Sequence, residues 1–373
     1  MPEAANDTPV VGFYVHHQGR GHATRVQQLL RHLKCRAVVF TSAPAYFDAD
    51  CPARVVALPL DVPRPDEAAV KDSPAPPALH YAPLGVAGLR ERFAILAEWI
   101  AGAKPALFFI DLSVEVAMFC RLMGVPTVVT RLQGWRNDLP HLNAFESARA
   151  IFCPFPRSLE LSPLPRKLRA KAFYTEAYSR FEGRGRAPVQ PGLIVVTTGS
   201  GGTQQSASRL ADLARALPGH TIRVLGSVPQ GSTLPSSPNL QLLGHVADPF
   251  PHLCAAEVVV CGAGTNTVME VGSARRPMVC LAEDRAFDEQ RNKALGLANV
   301  GLAVSPPHWP AAREWPGLLA EASRLDTSRW GDLFIDADLR RAAMFVDRLA
   351  HEDRARTVES RGAAAHFDHL RAA

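Results

Sequence analysis

The sequence has no Cys-x-x-Cys pair, although its 373 residues include seven cysteines. Because closely spaced cysteines build most zinc and disulfide frameworks, this scatter predicts free thiols and a reducing, cytoplasmic environment. The opening residues, MPEAANDTPV, lack the basic start and apolar core of a signal peptide. No apolar run reaches the length of a transmembrane helix. We therefore expect a soluble protein.

Long blocks of one charge are also missing. The 41 basic and 36 acidic residues leave a net charge of only +5. That balance argues against a nucleic-acid partner and suits an anionic small ligand. It leaves peripheral contact with a membrane open and says nothing about oligomeric state. The Gly-x-Gly-x-x-Gly spacing of NAD-binding folds is absent too, which argues against a dehydrogenase.

Short β-branched runs alternate with helical patterns, which is typical of parallel sheets flanked by helices. The pattern occurs once from VVGFYV to TVVTR and again from PGLIVVTT to PMVCL. It predicts an α/β chain with two parallel-sheet domains, residues 1–153 and 191–340. A Pro- and Arg-rich linker, 154–190, separates them, and a helical segment, 341–373, follows. The irregular loop 61–85 is long enough to be functional.

The loops directly after strands are where ligands of such sheets bind. One reads GSGGT, at residues 199–203, and is followed by a helical pattern. Glycines allow backbone N–H groups to approach a phosphate, and the helix N-terminus adds partial positive charge. An ordinary flexible turn is the alternative.

Two acidic segments in the second half allow two interpretations each. Thr267 and Glu270 have the spacing of a capping box, which is one interpretation of both residues. The other is that Glu270 binds the hydroxyls of a ribose. Asp288, Glu289 and Gln290 follow the next strand and contact a sugar, or they are ordinary surface residues.

The order of these segments resembles the donor-binding half of GT-B glycosyltransferases. The pieces are GSGGT, LLGHVADPF, CGAGTNTVME, ARRP and DEQRNKA, over roughly residues 190–305. The likeness is to the family 28 branch, which holds the peptidoglycan N-acetylglucosaminyltransferase, and to the UDP-glycosyltransferases. It implies two Rossmann-like domains facing each other across a cleft, with the C-terminal helix packed back on the first domain.

The resemblance also implies an inverting transferase that moves a sugar from a UDP-sugar, such as UDP-GlcNAc or UDP-glucose, to an acceptor hydroxyl. It implies no metal and no cofactor beyond the donor. A small-molecule or lipid- or polymer-linked acceptor fits. Two departures matter. Many relatives have His-Gly-Gly where this chain has Gly-Ala-Gly, so no histidine reaches the diphosphate there. A family glycine is also replaced in the segment SARRP, where Arg275 or Arg276 is either a surface charge or an extra anion contact. The implied donor-binding residues are Gly199, Ser200, Gly201, Gly202, Thr203, His245, Val246, Gly264, Thr265, Asn266, Thr267, Glu270, Asp288, Glu289 and Gln290.

In the first half, HQGRGHATR resembles the Gly-His turn that follows the first strand of this family, with His22 on the family's histidine. The chemistry supports the same residue. Sugar transfer to a hydroxyl needs a base, and a histidine at a helix start stays neutral and basic. Asp111, at the end of the strand ALFFID, is the candidate orienting partner, with a helix N-cap as the alternative.

The acceptor site is harder to predict from the sequence. Candidate contacts are His16, His17, Gly21, Arg131 and Trp135, of which the last two lie in a segment that also reads as a surface loop. Two other functions remain alternatives. One is a sugar-nucleotide epimerase or hydrolase of the same fold, and the other is a non-catalytic nucleotide-sugar-binding protein.

Overall fold

The computed structural model describes residues 8–65, 67, 75–198, 205–228, 237–336 and 339–371, with the backbone alone from 356 onward. Two parallel sheets organise these residues, each flanked by helices on both faces. The helices are α1 (Arg20–Leu30), α2 (Ala87–Ala103), α3 (Val114–Leu122), α4 (Leu139–Ser147), α5 (Arg166–Arg169), α6 (Ala207–Ala216), α7 (Phe250–Ala255), α8 (Thr265–Ser273), α9 (Glu289–Asn299), α10 (Trp315–Ala322) and α11 (Arg340–Arg371).

The first sheet has seven strands within the described residues. They are β1 (Val10–Val15), β2 (Arg36–Thr41), β3 (Arg54–Ala57), β4 (Leu107–Asp111), β5 (Thr127–Thr130), β6 (Ala150–Cys153) and β7 (Ala172–Tyr174). Their order is β3-β2-β1-β4-β5-β6-β7, and every pair is parallel. The central strands are apolar without alternation because helices cover both faces of the sheet. Strand β7 comes from the segment that the sequence suggested as a linker.

In the part of the second domain that the structure describes, the sheet has five strands in the order β10-β9-β8-β11-β12, again all parallel. They are β8 (Leu193–Thr197), β9 (Thr221–Leu225), β10 (Leu240–Gly244), β11 (Val258–Gly262) and β12 (Met278–Leu281). The prediction of an α/β chain with two parallel-sheet domains is therefore confirmed.

The C-terminal helix α11 belongs to the first domain. Ala342, Val346 and Leu349 pack into the core that β1 and β4 form with α1. The Asp347 carboxylate also accepts hydrogen bonds from the backbone N–H groups of Lys34 and Cys35, just beyond the end of α1. The chain thus crosses to the second domain and returns, as the resemblance implied. Among the described residues, no helix is long and apolar enough to cross a membrane.

Candidate active site

A cavity of about 740 Å³ opens between the two domains. Its lining comes mainly from the carboxyl ends of β1, β4 and β5, from α2, α3 and α4, and, in the second domain, from residues 285–287, 289 and 290. Parallel sheets bind ligands at this end of their strands. The cavity is therefore the candidate active site.

His22 and Asp111 meet at this cavity. Strands β1 and β4 are neighbours in register, so Val15 lies opposite Asp111, and the turn after β1 brings His22 alongside. His22 Nδ1 lies 2.8 Å from Asp111 Oδ2. On the other side, the buried Arg25 guanidinium donates to Asp111 Oδ1. The sequence analysis did not assign Arg25 to this group.

The charges around Asp111 determine the tautomer of His22. Burial alone would raise the pKa of Asp111, but Arg25 and His22 outweigh it and hold that pKa well below its usual range. Because the carboxylate has no proton, the hydrogen of the 2.8 Å bond belongs to His22 Nδ1. Arg25 Nη2 lies farther from Nδ1, at 3.2 Å. The neutral ring therefore presents an unprotonated Nε2, which is the form a general base requires.

The alternative role for Asp111, as an N-cap, does not occur. Leu112 has a φ of 59°, a conformation rare for a residue with a side chain, and the chain turns there. Ser113 then caps α3 by accepting a hydrogen bond from the backbone N–H of Val116. The strained turn at Leu112 thus separates the helix cap from Asp111.

His16 and His17 both line the cavity. Their rings stack with centroids 4.8 Å apart, and His16 lies 5.7 Å from His22. Burial, together with the imidazoles of His22 and His17, lowers the pKa of His16 from 6.5 to about 4. His16 is therefore neutral at physiological pH, and it places no extra charge beside His22.

The start of helix α8, in the second domain, lies close to the start of α1. The N-cap of α8 is Gly264, which has no side chain to cap the helix. Gly19 takes the same position on α1, with a φ of 90° that favours glycine. A Cβ on Gly21 would lie 3.5 Å from Asn266 Nδ2, so the two helix starts approach each other across the cleft. Backbone N–H groups from both domains are available there for an anion.

Glu270 does not form a capping box with Thr267, because α8 begins at Thr265 and Glu270 lies beyond its first turn. Its Oε1 accepts a hydrogen bond of 2.9 Å from Arg180 Nε, in the segment between the domains. Burial raises the pKa of Glu270, and Arg180 opposes that effect. Glu270 Oε2 has no hydrogen bond within the part of the chain that the structure describes.

Three of the predicted sugar contacts differ in their surroundings. Gln290 Oε1 accepts hydrogen bonds from the backbone N–H groups of Ala263 (3.1 Å) and Glu283 (3.0 Å), which leaves its amide NH₂ group for a ligand. Asp288 takes a left-handed conformation at the start of α9. Glu289 lies in the cavity wall with Gln290.

Glu289 pairs with two cations. Arg136 Nη2 lies 3.1 Å from one carboxylate oxygen, and the buried Lys293 Nζ lies 3.6 Å from the other. Burial alone would raise the pKa of Glu289, but Lys293 and Arg136 lower it. Lys293 Nζ also donates to Thr265 Oγ1 at 2.5 Å. A buried lysine therefore lies behind the start of α8; burial lowers the pKa of Lys293, and Glu289 opposes that effect.

Two predicted acceptor contacts lie away from the cavity lining. The buried Arg131 guanidinium binds Glu160 and the carbonyl oxygen of Ser162. Trp135 is about half exposed (53%), and its backbone N–H donates to the carbonyl oxygen of Phe287 at 2.9 Å. Both residues join the first domain to other segments.

The remaining predicted donor contacts are less informative. His245 and Val246 follow the end of β10, where His245 is exposed and Val246 packs against the second core. The predicted phosphate loop, Gly199, Ser200, Gly201, Gly202 and Thr203, lies outside the described residues. Among the residues that are described, no group of three or more His, Cys, Asp or Glu side chains could hold a metal ion.

A family model matches residues 193–305, and its description is the glycosyltransferase family 28 C-terminal domain. This match covers β8 to β12 and the helices between them. Together with the two facing parallel-sheet domains, it defines the class: the chain is a glycosyltransferase of the GT-B type. The resemblance that the motifs indicated is confirmed. No curated protein matches the chain in sequence.

Solved structures share the fold across nearly the whole chain. The glycotransferase of kitacinnamycin has a TM-score of 0.66 and 16% identity, covering 92% of this chain and 99% of its own. MurG from Acinetobacter baumannii has a TM-score of 0.57 and 15% identity, with coverages of 92% and 99%. A UDP-glucosyltransferase from Polygonum tinctorium has a TM-score of 0.65 and 14% identity, with coverages of 93% and 100%. At these identities the similarity establishes the fold.

Proposed function

We propose that this glycosyltransferase is inverting and metal-independent, that its donor is a UDP-sugar, and that His22 is its general base. The observation that carries the proposal is the His22–Asp111 pair in the cavity between the domains. His22 Nε2 accepts the proton of the acceptor hydroxyl as its oxygen attacks the anomeric carbon, and the bond from that carbon to the diphosphate breaks. Asp111 positions the ring and stabilises the imidazolium that forms.

The second domain supports the donor side of this reaction. Among the described residues, nothing bonds to the second carboxylate oxygen of Glu270 or to the amide N–H groups of Gln290, so the first can take a ribose hydroxyl and the second a sugar. The start of α8, with Lys293 behind it, would stabilise the negative charge of the departing diphosphate. Glu289 is neutralised by Arg136 and Lys293, so it adds no net repulsion. UDP as the nucleotide rests on the family resemblance and on the solved UDP-glucosyltransferase.

A panel of nucleotides and UDP-sugars, read by thermal shift, tests the donor, because a ligand that binds only the folded state raises the melting temperature. We expect UDP and one UDP-hexose to raise the melting temperature. We expect the same increase in EDTA, without added divalent metal. Glu270→Gln should weaken UDP binding by about tenfold in calorimetry, since it weakens one charge-assisted hydrogen bond. An unchanged affinity would remove Glu270 from the donor site.

His22→Ala tests the base. It should abolish sugar transfer while UDP affinity stays within about twofold, because His22 contacts the acceptor oxygen and not the nucleotide. His32→Ala, just beyond the end of the same helix, is the matched control and should retain turnover. Full turnover in His22→Ala would refute the assignment.

Product analysis with donor alone separates a transferase from an epimerase or hydrolase.

A further inference from the structure

One wall of the cavity holds a buried polar cluster that the proposed mechanism does not use. It is formed by Tyr14, Asp61, Arg92 and His17, all of which line the cavity. The Arg92 side chain is only 1% exposed. Its Nη1 donates to Asp61 Oδ2 at 2.6 Å and to Tyr14 Oη at 2.9 Å. Its Nη2 donates to Ser42 Oγ at 2.9 Å, so this guanidinium is fixed in place.

The cluster leaves three hydrogen-bonding positions unfilled. A guanidinium only donates, so Tyr14 Oη accepts from Arg92 and the phenolic hydrogen points elsewhere. Burial raises the pKa of Tyr14 to about 12, which keeps that hydrogen in place. Within the described part of the chain, the hydrogen finds no acceptor, Asp61 Oδ1 has no donor, and the buried His17 Nδ1 has no partner. Buried polar groups are normally paired, and of the three only His17 Nδ1 is buried without a partner. The Tyr14 hydrogen and Asp61 Oδ1 are open to a ligand in the cavity that both residues line.

The free positions define the chemistry of the group they accept. Tyr14 offers a donor, Asp61 offers an acceptor, and the charges of Asp61 and Arg92 cancel. An anion would bond to Tyr14 and face the Asp61 carboxylate. An ammonium would bond to Asp61 and face Arg92. A hydroxyl both accepts and donates. The Tyr14 hydroxyl and the Asp61 carboxylate lie close enough for one hydroxyl to bond to both, because Tyr14 Oη and Asp61 Oδ2, the neighbour of the free Oδ1, accept from the same nitrogen of Arg92.

The cluster lies at a distance from the reacting end of the cavity. The ring centroids of His22 and His16 are 5.7 Å apart, and those of His16 and His17 are 4.8 Å apart. Apolar side chains such as Phe93 and Phe145 also line the cavity. The space therefore suits an apolar ring body between two polar ends.

We propose that the acceptor is a neutral ring compound with two hydroxyl groups, one deprotonated by His22 and the other bound by Tyr14 and Asp61. This inference rests on the proposed function, because it assumes transfer to an acceptor at His22. It assigns Tyr14 and Asp61 as the residues that select the acceptor.

A naphthol and the naphthalenediol with hydroxyls on opposite rings are the probes. With the UDP-sugar that binds, we expect the KM of the diol to be about 10- to 100-fold lower than that of the naphthol, as for a hydrogen bond to a charged group. Tyr14→Phe removes one oxygen, so the ratio of the two KM values should fall close to one. Asp61→Asn is the second variant, and we expect the same fall from it. Tyr81→Phe is the matched control, because the Tyr81 hydroxyl is already bonded to the Asp61 carbonyl oxygen, and it should keep the preference.

An equal KM for the two probes in the unmodified protein would overturn the proposal, and so would a preference that survives in Tyr14→Phe. Failure of both probes to react, with UDP-sugar binding intact, would also overturn it while leaving the proposed function standing. Failure of every nucleotide sugar to bind would instead count against the proposed function.

Discussion

Replacing Asp111 by Asn tests the catalytic group most directly. The amide keeps the shape of the side chain, but its NH₂ group can donate to His22 Nδ1, which favours the tautomer with hydrogen on Nε2. That ring cannot accept the acceptor's proton. General-base catalysis contributes about 10²–10⁴ in rate. We therefore expect kcat to fall by that factor, which is about 3–5 kcal/mol of barrier.

The same substitution costs stability, and the two effects must be separated. Arg25 stays buried without a counter-charge, and removing one partner of a buried pair costs about 3–5 kcal/mol. The double variant Arg25→Met/Asp111→Asn removes the stranded charge as well. It should recover part of the free energy of unfolding and none of the activity. Asp347→Asn is the matched control, because this buried carboxylate accepts backbone N–H groups far from the cavity.

The assay measures kcat at saturating donor and acceptor, UDP affinity by calorimetry, and unfolding by denaturant. We expect Asp111→Asn to lose kcat with UDP affinity unchanged, and Asp347→Asn to lose stability with kcat unchanged. The reasoning is refuted if the double variant regains the original kcat. Asp111 would then matter only as a counter-charge for Arg25.

Two further predictions concern buried charge. The folded-state pKa of His16, about 4, lies below its ordinary value of 6.5, so the unfolded state binds the proton first and stability falls as pH drops from 6.5 to 4. His16→Gln should therefore make the acid-induced loss of unfolding free energy smaller by up to about 3 kcal/mol. At alkaline pH the unfolding free energy of the variant should equal that of the original protein. Denaturant unfolding at both pH values checks this. Lys293→Met should weaken UDP binding about tenfold and leave uridine binding unchanged, because the lost charge lies behind Thr265 at the diphosphate end. Calorimetry with UDP and with uridine checks this prediction. Lys171→Met is the control, because Lys171 donates to backbone carbonyl oxygens of the first domain. Equal losses of affinity for UDP and for uridine would contradict the prediction.

Most of the fold could be predicted because parallel strands covered on both faces leave uninterrupted apolar runs. VVGFYV and ALFFID are such runs, and both are strands at the predicted places. The β7 strand was missed because it has three half-buried residues inside a Pro- and Arg-rich segment. A run that short, in such a composition, has no periodicity to detect.

Within the site, the sequence suggested those pairs of residues whose proximity follows from the order of the strands in the sheet. His22 and Asp111 follow adjacent parallel strands, so their proximity could be expected, whereas their catalytic role stays a prediction. Arg25, Arg180 and Lys293 could not be anticipated in the same way. A charged residue on a helix or a linker normally reads as solvent-exposed, and only tertiary contacts show that these three face carboxylates or a hydroxyl.

The return of α11 to the first sheet makes the second domain an insertion within the first. The outgoing and returning segments run side by side, since the Ala177 backbone N–H donates to the Leu333 carbonyl oxygen at 2.8 Å and Tyr178 shares a core with Leu339. Two adjacent chain crossings restrict rotation of one domain against the other more than a single crossing would. Exchange of the second domain between relatives therefore requires two junctions, and a chimera with one junction would separate the first sheet from the helix that completes its core.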